Sequence, residues 1–477
     1  MSDSARPATA AILTLGCKLN IADSEAMARR LRDAGWNVVD RATEDAQTII
    51  VNTCSVTHVA DQKSRHLVRM ARRIAPNATV ALTGCLLETA PRDKIEALAA
   101  DLVYHQPDQL ALADRLIELH PISTSTKAPL PFSISPLPRQ GEGQGEGARP
   151  ALKTRAFISA QEGCNDVCAF CIIPRTRGRE RSKSVEAVVA EALAREAEGV
   201  QEIVITGTQL GAYGRDWGHR TPYPVLKALL DETSIPRIRM SSLQPQDLSD
   251  EVIGLWQNPR LCRHFHLALQ SGARATLQRM RRRYSQDEYR DAVRRLRAAV
   301  PDVAITTDVI AGFPGETEAD FEESYVFCQE MAFAGIHVFP YSQRSGTVAF
   351  KLPDQVTDPA KKQRVHRLIE LAERMSAEYR AGVLGSTASV LWETRRSLAA
   401  VPFVPLVPSV PEEGGGAAIW EGLTDTYIRV RTVSDAELTN RLTPALLTKA
   451  GDDGLWAELR PESAEGLRPE PGEGIRE

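Results

Sequence analysis

The chain contains no stretch of about 18 consecutive apolar residues, the length a membrane-spanning helix needs, and its first residues carry no apolar run of the secretory type. A cytoplasmic protein without a membrane partner is therefore expected. Charge imbalance is also missing: 58 Lys and Arg stand against 62 Asp and Glu, a formal net charge of −4. This excludes a polyanion-binding surface spread over the whole molecule and confines any nucleic-acid role to local patches. Eight cysteines are present, and in a reducing compartment they point to metal or redox chemistry more than to disulfides. At 477 residues the chain has room for two or three domains with real cores.

One further absence is local. Cys164, Cys168 and Cys171 lie in the stretch Glu162-Gly163-Cys164-Asn165-Asp166-Val167-Cys168-Ala169-Phe170-Cys171, and the next cysteine along the chain is Cys262. A structural zinc site takes four protein ligands in a closed tetrahedron, and a bacterial ferredoxin run continues with another two-residue gap and a Cys-Pro pair. Neither is completed here. Three thiolates on a four-iron cluster leave one iron open to a small-molecule ligand. Buried apolar cysteines rarely crowd one loop, so a purely structural role fits poorly.

The first domain reads as alternating strand and helix. Ala11–Leu15 is a strand ending in Gly16-Cys17, Thr48–Asn52 one ending in Thr53-Cys54, and Thr79–Leu82 one ending in Thr83-Gly84-Cys85. Helical spacing covers Asp23–Ala34, with Gly35 as a stop, and a basic helix runs from about His58 to Arg73. In a parallel α/β sheet the carboxyl ends of strands share one crevice. Cys17, Cys54 and Cys85 are thus expected to converge and to hold a second cluster with an open iron.

From Pro121 to Pro150 the composition turns to Pro, Ser, Gly and Gln, too poor in apolar surface to offset its ordering entropy. Strand and helix then alternate again: Ala156–Ile158, Glu202–Ile205, Arg237–Met240, His264–Leu269, Ala304–Ile310 and Ile336–Phe339 make six strands, and Val185–Glu198 is a helix closed by Gly199. This pattern predicts a partial (β/α)6 barrel whose functional face is the carboxyl ends of its strands. Past about Gly385 the chain becomes all-β, in Thr387–Trp392, Ala418–Trp420, Tyr427–Val433 and Leu455–Leu459, which suggests a small β-barrel interrupted by a Pro/Gly insert at 402–416. The expected class is α/β with domains at 9–120, 153–384 and 385–460, a disordered linker at 121–152 and a disordered tail at 461–477.

Basic residues cluster in two places. Arg175, Arg177, Arg179, Arg181 and Lys183 follow the cysteine loop, and nine arginines lie between Arg274 and Arg297, among them Arg281, Arg282 and Arg283. Charge runs are usually solvated faces. Beside a reactive centre they also offer phosphate contacts, and specific RNA recognition usually targets unpaired bases. Arg175, Arg177, Arg179 and Arg281–Arg283 are therefore the expected RNA contacts.

The CxxxCxxC spacing with Phe170 before the last cysteine resembles the radical S-adenosylmethionine (SAM) superfamily. With a second cysteine triad and a terminal small barrel, the whole chain outside linker, insert and tails resembles the methylthiotransferases within it. That resemblance implies an N-terminal cluster domain, a radical-SAM barrel and a C-terminal TRAM-like barrel. It implies two 4Fe-4S clusters, one on Cys17, Cys54 and Cys85 and one on Cys164, Cys168 and Cys171. One SAM methylates a sulfur species at the auxiliary cluster, and a second yields the radical that takes hydrogen from the substrate carbon. By the same resemblance SAM is contacted by Phe170, Thr206, Gly207, Ser242, Gln270 and Asp308, with Phe313 as a wall near the adenine. No side chain is assigned as a general base, because the cofactor performs the hard step. The partners implied are tRNA and a small electron-transfer protein of flavodoxin or ferredoxin type.

Three branches share this architecture, acting on threonylcarbamoyladenosine in tRNA, on isopentenyladenosine in tRNA, or on an aspartate of a ribosomal protein. Thr14–Asn20, Leu210–Gly214 and His337–Ser342 resemble the first branch, whereas Thr176–Ser182 is more like the second. Outside this family, the open alternatives are a non-catalytic iron–sulfur electron carrier and a zinc-binding RNA module.

Overall fold

The computed structural model describes residues 8–106, 108–120, 154–397 and 417–461. The expected linker at 121–152, the insert at 402–416 and nearly all of the expected tail lie outside the described residues. The chain forms two compact units, one of 1–188, 205–220 and 342–353, the other of 189–204, 221–341 and 354–477. These limits do not follow the expected domain boundaries. The N-terminal sheet shares a unit with the cysteine loop, and the C-terminal barrel shares one with most of the strand–helix repeats.

In the first unit, β1 (Thr9–Thr14), β2 (Asn37–Val39), β3 (Thr48–Thr53), β4 (Thr79–Gly84) and β5 (Leu102–Tyr104) form a parallel sheet in the order β2-β1-β3-β4-β5. Successive side chains of a strand point to opposite faces, and here both faces are covered. Ala11, Leu13, Ile49, Val51, Val80 and Leu82 pack with Leu67, Val68 and Ala71 of α2 (His58–Ile74). Ala10, Ile12, Ile50 and Ala81 pack with Met27, Ala28 and Leu31 of α1 (Lys18–Asp33) and with Leu112 and Leu116 of the helix Gln109–Leu119. Double burial is why these strands read as unbroken apolar runs. The α1 helix begins directly after Cys17, five residues earlier than its apolar spacing shows, because its first turn packs polar groups onto the strand ends. The α2 helix starts as expected, with the Thr57 hydroxyl accepting from the Ala60 amide at 3.1 Å.

The same unit holds β6 (Arg155–Glu162) and β7 (Arg181–Ser182). They pair antiparallel through Gln161–Ser182 and Glu162–Arg181, closing the cysteine loop at its base. After β8 (Glu202–Gly207), the second unit contains β9 (Arg237–Met240), β10 (Ser242–Leu243), β11 (His264–Leu267), β12 (Ala304–Ala311) and β13 (Gly335–Pro340), with β10 to β13 in parallel order. Each of the six strands expected between 156 and 339 is found.

The C-terminal segment closes into a five-stranded barrel of β14 (Thr387–Arg396), β15 (Ala418–Thr424), β16 (Arg429–Ser434), β17 (Leu442–Ala450) and β18 (Leu455–Leu459), in the order β14-β15-β16-β18-β17. Trp392 and Trp420 fill it with Val390, Val430, Leu447 and Ala457. Strand β17 was not expected; Pro444 lies within its run, and proline normally argues against a central strand. Pro444 sits opposite Ser389, and its carbonyl accepts from the Arg460 amide at 2.9 Å. Barrel closure, a long-range effect, overrides the local signal. Among the described residues no helix is long and apolar enough to cross a membrane.

Candidate metal centre

The strand ends of β1, β3 and β4 bring Cys17, Cys54 and Cys85 together. Gly16 adopts φ +118, and a Cβ there would lie 2.9 Å from Cys54 Cβ and 3.0 Å from its Sγ; on Gly84, at φ +97, it would lie 2.4 Å from the Thr53 carbonyl oxygen. Only glycine fits at either position. Burial pushes the Cys54 thiol up to about 11 and the Cys85 thiol up to about 12, and the neighbouring thiols of the triad raise both further.

Polar side chains that the sequence reading passed over hold this cradle. Asn20 Nδ2 donates to the carbonyls of Leu15 (2.7 Å) and Thr53 (2.9 Å), and Asn52 Nδ2 donates to Asn20 O (2.9 Å) and Ser24 Oγ (3.0 Å). Ser64 Oγ accepts from the Cys54 amide at 3.1 Å and donates to its carbonyl at 2.9 Å. For Asn20 and Asn52 the signal that could have found them is a polar side chain in apolar surroundings within three residues of a cysteine; Ser64, between Lys63 and Arg65, carries no such signal. All three residues are buried completely.

The second triad occupies the loop between β6 and β7. Gly163 has φ +70, and a Cβ there would meet the Arg179 carbonyl oxygen at 2.0 Å. The Cys164 amide donates to Gly178 O at 3.1 Å, the Cys171 amide to Cys168 O at 3.1 Å, and the Asp166 amide to Cys164 Sγ at 3.4 Å. Glu180 accepts from the Asn165 amide (3.0 Å) and twice from Arg215 (2.6 Å each), tying the loop to the segment after β8. Burial again pushes the Cys164 thiol up, to about 11, opposed by the Asp166 amide and assisted by the Asp166 carboxylate. Gly163→Ala is expected to strip this loop of iron. The left-handed conformation alone costs a non-glycine residue roughly 1–2 kcal/mol, and the overlap with Arg179 forces the loop to move. Iron analysis after anaerobic reconstitution checks this, and wild-type iron content would refute it.

The two triads are packed together within the unit. The short helix Ile173–Thr176, directly after Cys171, packs on the turn Cys85–Glu88. Arg177 then reaches across, and beside the first triad Arg344 donates from its guanidinium to Asp61 Oδ2 at 2.7 Å and to Ser55 Oγ, next to Cys54, at 2.6 Å. Among the described residues no cysteine is disulfide-bonded. Thiols held neutral by burial bind a metal by giving up their protons to it. Each triad leaves a ligand position for a non-protein group, so the donor sets fit iron–sulfur clusters open at one iron. Cys262 and Cys328 are ordinary buried core residues.

The other expected site residues divide. In the first unit Phe170 is half-buried, and Gly207 lies close to the end of β6, where a Cβ would stand 3.2 Å from Gln161 Cβ. Thr206, beside it, is buried. In the second unit Ser242 opens β10, and Gln270, at φ +68, donates its amide to Asp308 O and accepts from the Ile310 amide, both at 2.8 Å. Asp308 sits between His266 Nε2 (3.2 Å) and His337 Nδ1 (3.3 Å). Although burial opposes ionisation, the two imidazoles hold its carboxyl well below the usual carboxylate range. Neither histidine was singled out in the sequence, because their convergence depends on the register of three strands. Phe313 is a correction: it is fully buried and packs edge-to-face on Tyr341 at 5.4 Å, so it offers no wall to a ligand.

The basic patches need correction too. Arg175, Arg179, Arg281 and Arg283 are exposed. Arg282 instead lies over the Tyr284 ring at 4.8 Å. Arg177 is buried and ion-paired to Asp23 and Glu162, which removes it from any RNA-facing surface. Arg279, Arg290, Arg294 and Arg295 each face a carboxylate, so much of the charge between 274 and 297 is neutralised locally.

Two family models match the chain: the radical SAM superfamily over residues 158–328 and the "Uncharacterized protein family UPF0004" over residues 9–104. Among curated relatives, "Threonylcarbamoyladenosine tRNA methylthiotransferase MtaB" of Bacillus subtilis is 34% identical over 455 residues, covering 93% of this chain and 94% of that protein. Its namesake from Thermotoga maritima is 35% identical, covering 81% of this chain and 86% of that protein. "tRNA-2-methylthio-N(6)-dimethylallyladenosine synthase" of Acidothermus cellulolyticus is 34% identical, covering 81% of this chain and 78% of that protein.

Proposed function

This chain belongs to the radical-SAM methylthiotransferases, and on that premise we propose that it inserts a methylthio group at carbon 2 of N6-threonylcarbamoyladenosine beside the anticodon of tRNA. The observation that carries the reading is the packing of two incomplete cysteine triads in one unit. A radical enzyme without sulfur transfer needs only the second. The choice of nucleoside is supported by the near full-length similarity to the Bacillus subtilis protein.

In this reading Cys164, Cys168 and Cys171 hold the cluster that binds SAM, and Cys17, Cys54 and Cys85 hold the auxiliary one. When bound, the pair supplies reductive SAM cleavage and a sulfur source. The protein's own part is to place and shield. The loop base Gln161–Ser182 and the Glu180–Arg215 pair set the direction of the SAM-cluster cysteines. Phe170 and the Thr206-Gly207 backbone would contact SAM, and Ser242, Gln270 and Asp308 would offer polar groups to its ribose and carboxylate. Asp308, kept ionised by His266 and His337, accepts hydrogen bonds and does not move a proton. Arg175, Arg179, Arg281 and Arg283 are assigned to tRNA phosphates, with a salt-dependent contribution to affinity. A small electron-transfer protein of flavodoxin or ferredoxin type supplies electrons, and the enzyme works in the cytoplasm.

Nucleoside mass spectrometry of tRNA from a deletion strain tests the substrate. Loss of the methylthio-threonylcarbamoyl nucleoside, restored by the wild-type chain, is expected. Loss of only the methylthio-isopentenyl species would transfer the enzyme to the branch that Thr176–Ser182 resembles. Unchanged tRNA nucleosides would remove tRNA as the substrate.

A further inference from the structure

Arg177 stands at the junction of the two triads. Its side chain is 1% exposed. Nη1 donates to Glu162 Oε1 at 3.0 Å, and Nη2 donates to Asn20 Oδ1 at 2.6 Å and to Asp23 Oδ2 at 2.8 Å. Glu162 lies two residues before Cys164, whereas Asn20 and Asp23 lie three and six residues after Cys17, on α1. One planar guanidinium is therefore bonded to the flanks of both cysteine sets. The same cation faces the Cys17 and Cys85 thiols, whose charged forms would interact favourably with it.

A guanidinium is costly to bury unless its donors are matched, and the fork geometry that matches three acceptors here is one lysine cannot copy. A strut between the two triads could have been apolar. Placing a permanent cation beside a cysteine triad has a further consequence. The potential of an iron–sulfur cluster is set by net charge, hydrogen bonds to sulfur and exposure, and a nearby positive charge stabilises the more negative reduced form. Asp23 is tied to the same cation. Burial raises its carboxyl to about 6, against the pull of Arg177.

We propose that Arg177 is a positioning residue that registers the auxiliary triad on the SAM-cluster loop and raises the reduction potential of the cluster held by Cys17, Cys54 and Cys85. The second half rests on the two-cluster reading above; the first stands on the hydrogen bonds themselves.

The test is an anaerobic redox titration, followed by electron paramagnetic resonance, of the reconstituted full chain and its variants. Arg177→Met is expected to retain both cluster signals, to shift the auxiliary potential negative and the SAM-cluster potential less, and to release 5′-deoxyadenosine without a matching yield of product. Arg177→Lys, which keeps the charge but not the fork, should recover most of the potential but not the coupling of the two products. Asp23→Asn leaves Arg177 in place and removes a negative charge, so its shift should be positive. This variant decides the question if Arg177→Met does not fold. Unchanged potentials in Arg177→Met, or in Asp23→Asn, would overturn the proposal. A wild-type chain with one cluster signal or no SAM cleavage would instead overturn the two-cluster reading, so the two failures are distinguishable.

Discussion

Replacing Cys17, Cys54 or Cys85 singly by alanine is expected to leave SAM cleavage running while abolishing methylthio transfer, whereas the same change at Cys164, Cys168 or Cys171 abolishes both. Each triad has no spare cysteine: the strand-end set is complete at three, and the loop is closed by β6 and β7 with no further cysteine before Cys262. Removing one thiolate leaves two, too few to retain a four-iron cluster firmly, so iron should fall from about eight to about four per chain. The strand-end cysteines sit on a sheet whose core does not depend on them, since its apolar contacts come from Ala, Ile, Leu and Val on both faces. The sheet should therefore persist in those variants and keep supporting the SAM loop. Paired assays of 5′-deoxyadenosine and of methylthiolated nucleoside, with iron analysis, check the split. Loss of SAM cleavage in the Cys17→Ala chain, with the other cluster intact, would refute independent roles.

The largest stability effect is expected from Arg239→Leu. Arg239 and Glu202 are both wholly buried, with Nε to Oε1 at 2.8 Å and Nη2 to Oε2 at 3.1 Å. The same guanidinium donates to the carbonyls of Asp425 (2.8 Å) and Thr424 (3.2 Å) and lies 4.7 Å from the Tyr427 ring. It thus pins the turn between β15 and β16 of the small barrel to the parallel strands of its unit, helped by Arg263 on the Asp425 carboxylate at 2.7 Å. Leucine would leave Glu202 with its main partner gone and would remove a donor from each of two barrel carbonyls, of which Thr424 O keeps the Tyr427 amide at 3.1 Å. Breaking a buried pair from one side costs roughly 3–5 kcal/mol. For a unit of this size, each kcal/mol lowers Tm by about 2–4 °C, so a fall on the order of 6–20 °C should appear in the melting curve. The double variant Arg239→Leu with Glu202→Gln should recover part of it, because the stranded charge is removed. A single variant that melts within about 2 °C of wild type would show that the pair is not what anchors the barrel.

Local spacing accounts for what was legible beforehand. Three cysteines in eight residues constrain one loop, and a small residue with a cysteine at three strand ends constrains one crevice; both follow from chain geometry over short distances. Arg177 shows the opposite case. It lies within a run of arginines that reads as a solvated, RNA-facing strip, yet Asn20, Asp23 and Glu162 take it inside. No feature within the strip separates it from Arg175 or Arg179, because the acceptors lie more than 150 positions away in sequence for Asn20 and Asp23. Phe313 misled in the same way, by looking available.

By itself the sequence determined the two triads, the alternation of strand and helix, the all-β end and the family. These are properties of spacing and composition, which survive without knowledge of neighbours. Only the tertiary structure decided which arginines stay exposed and which meet carboxylates, that β17 closes the barrel, that His266 and His337 clamp Asp308, and that the N-terminal sheet shares a unit with the 164–171 cysteine loop. Those outcomes depend on which distant groups come within hydrogen-bond reach. A buried charge takes whichever partner the fold presents, and the chain's order does not name it.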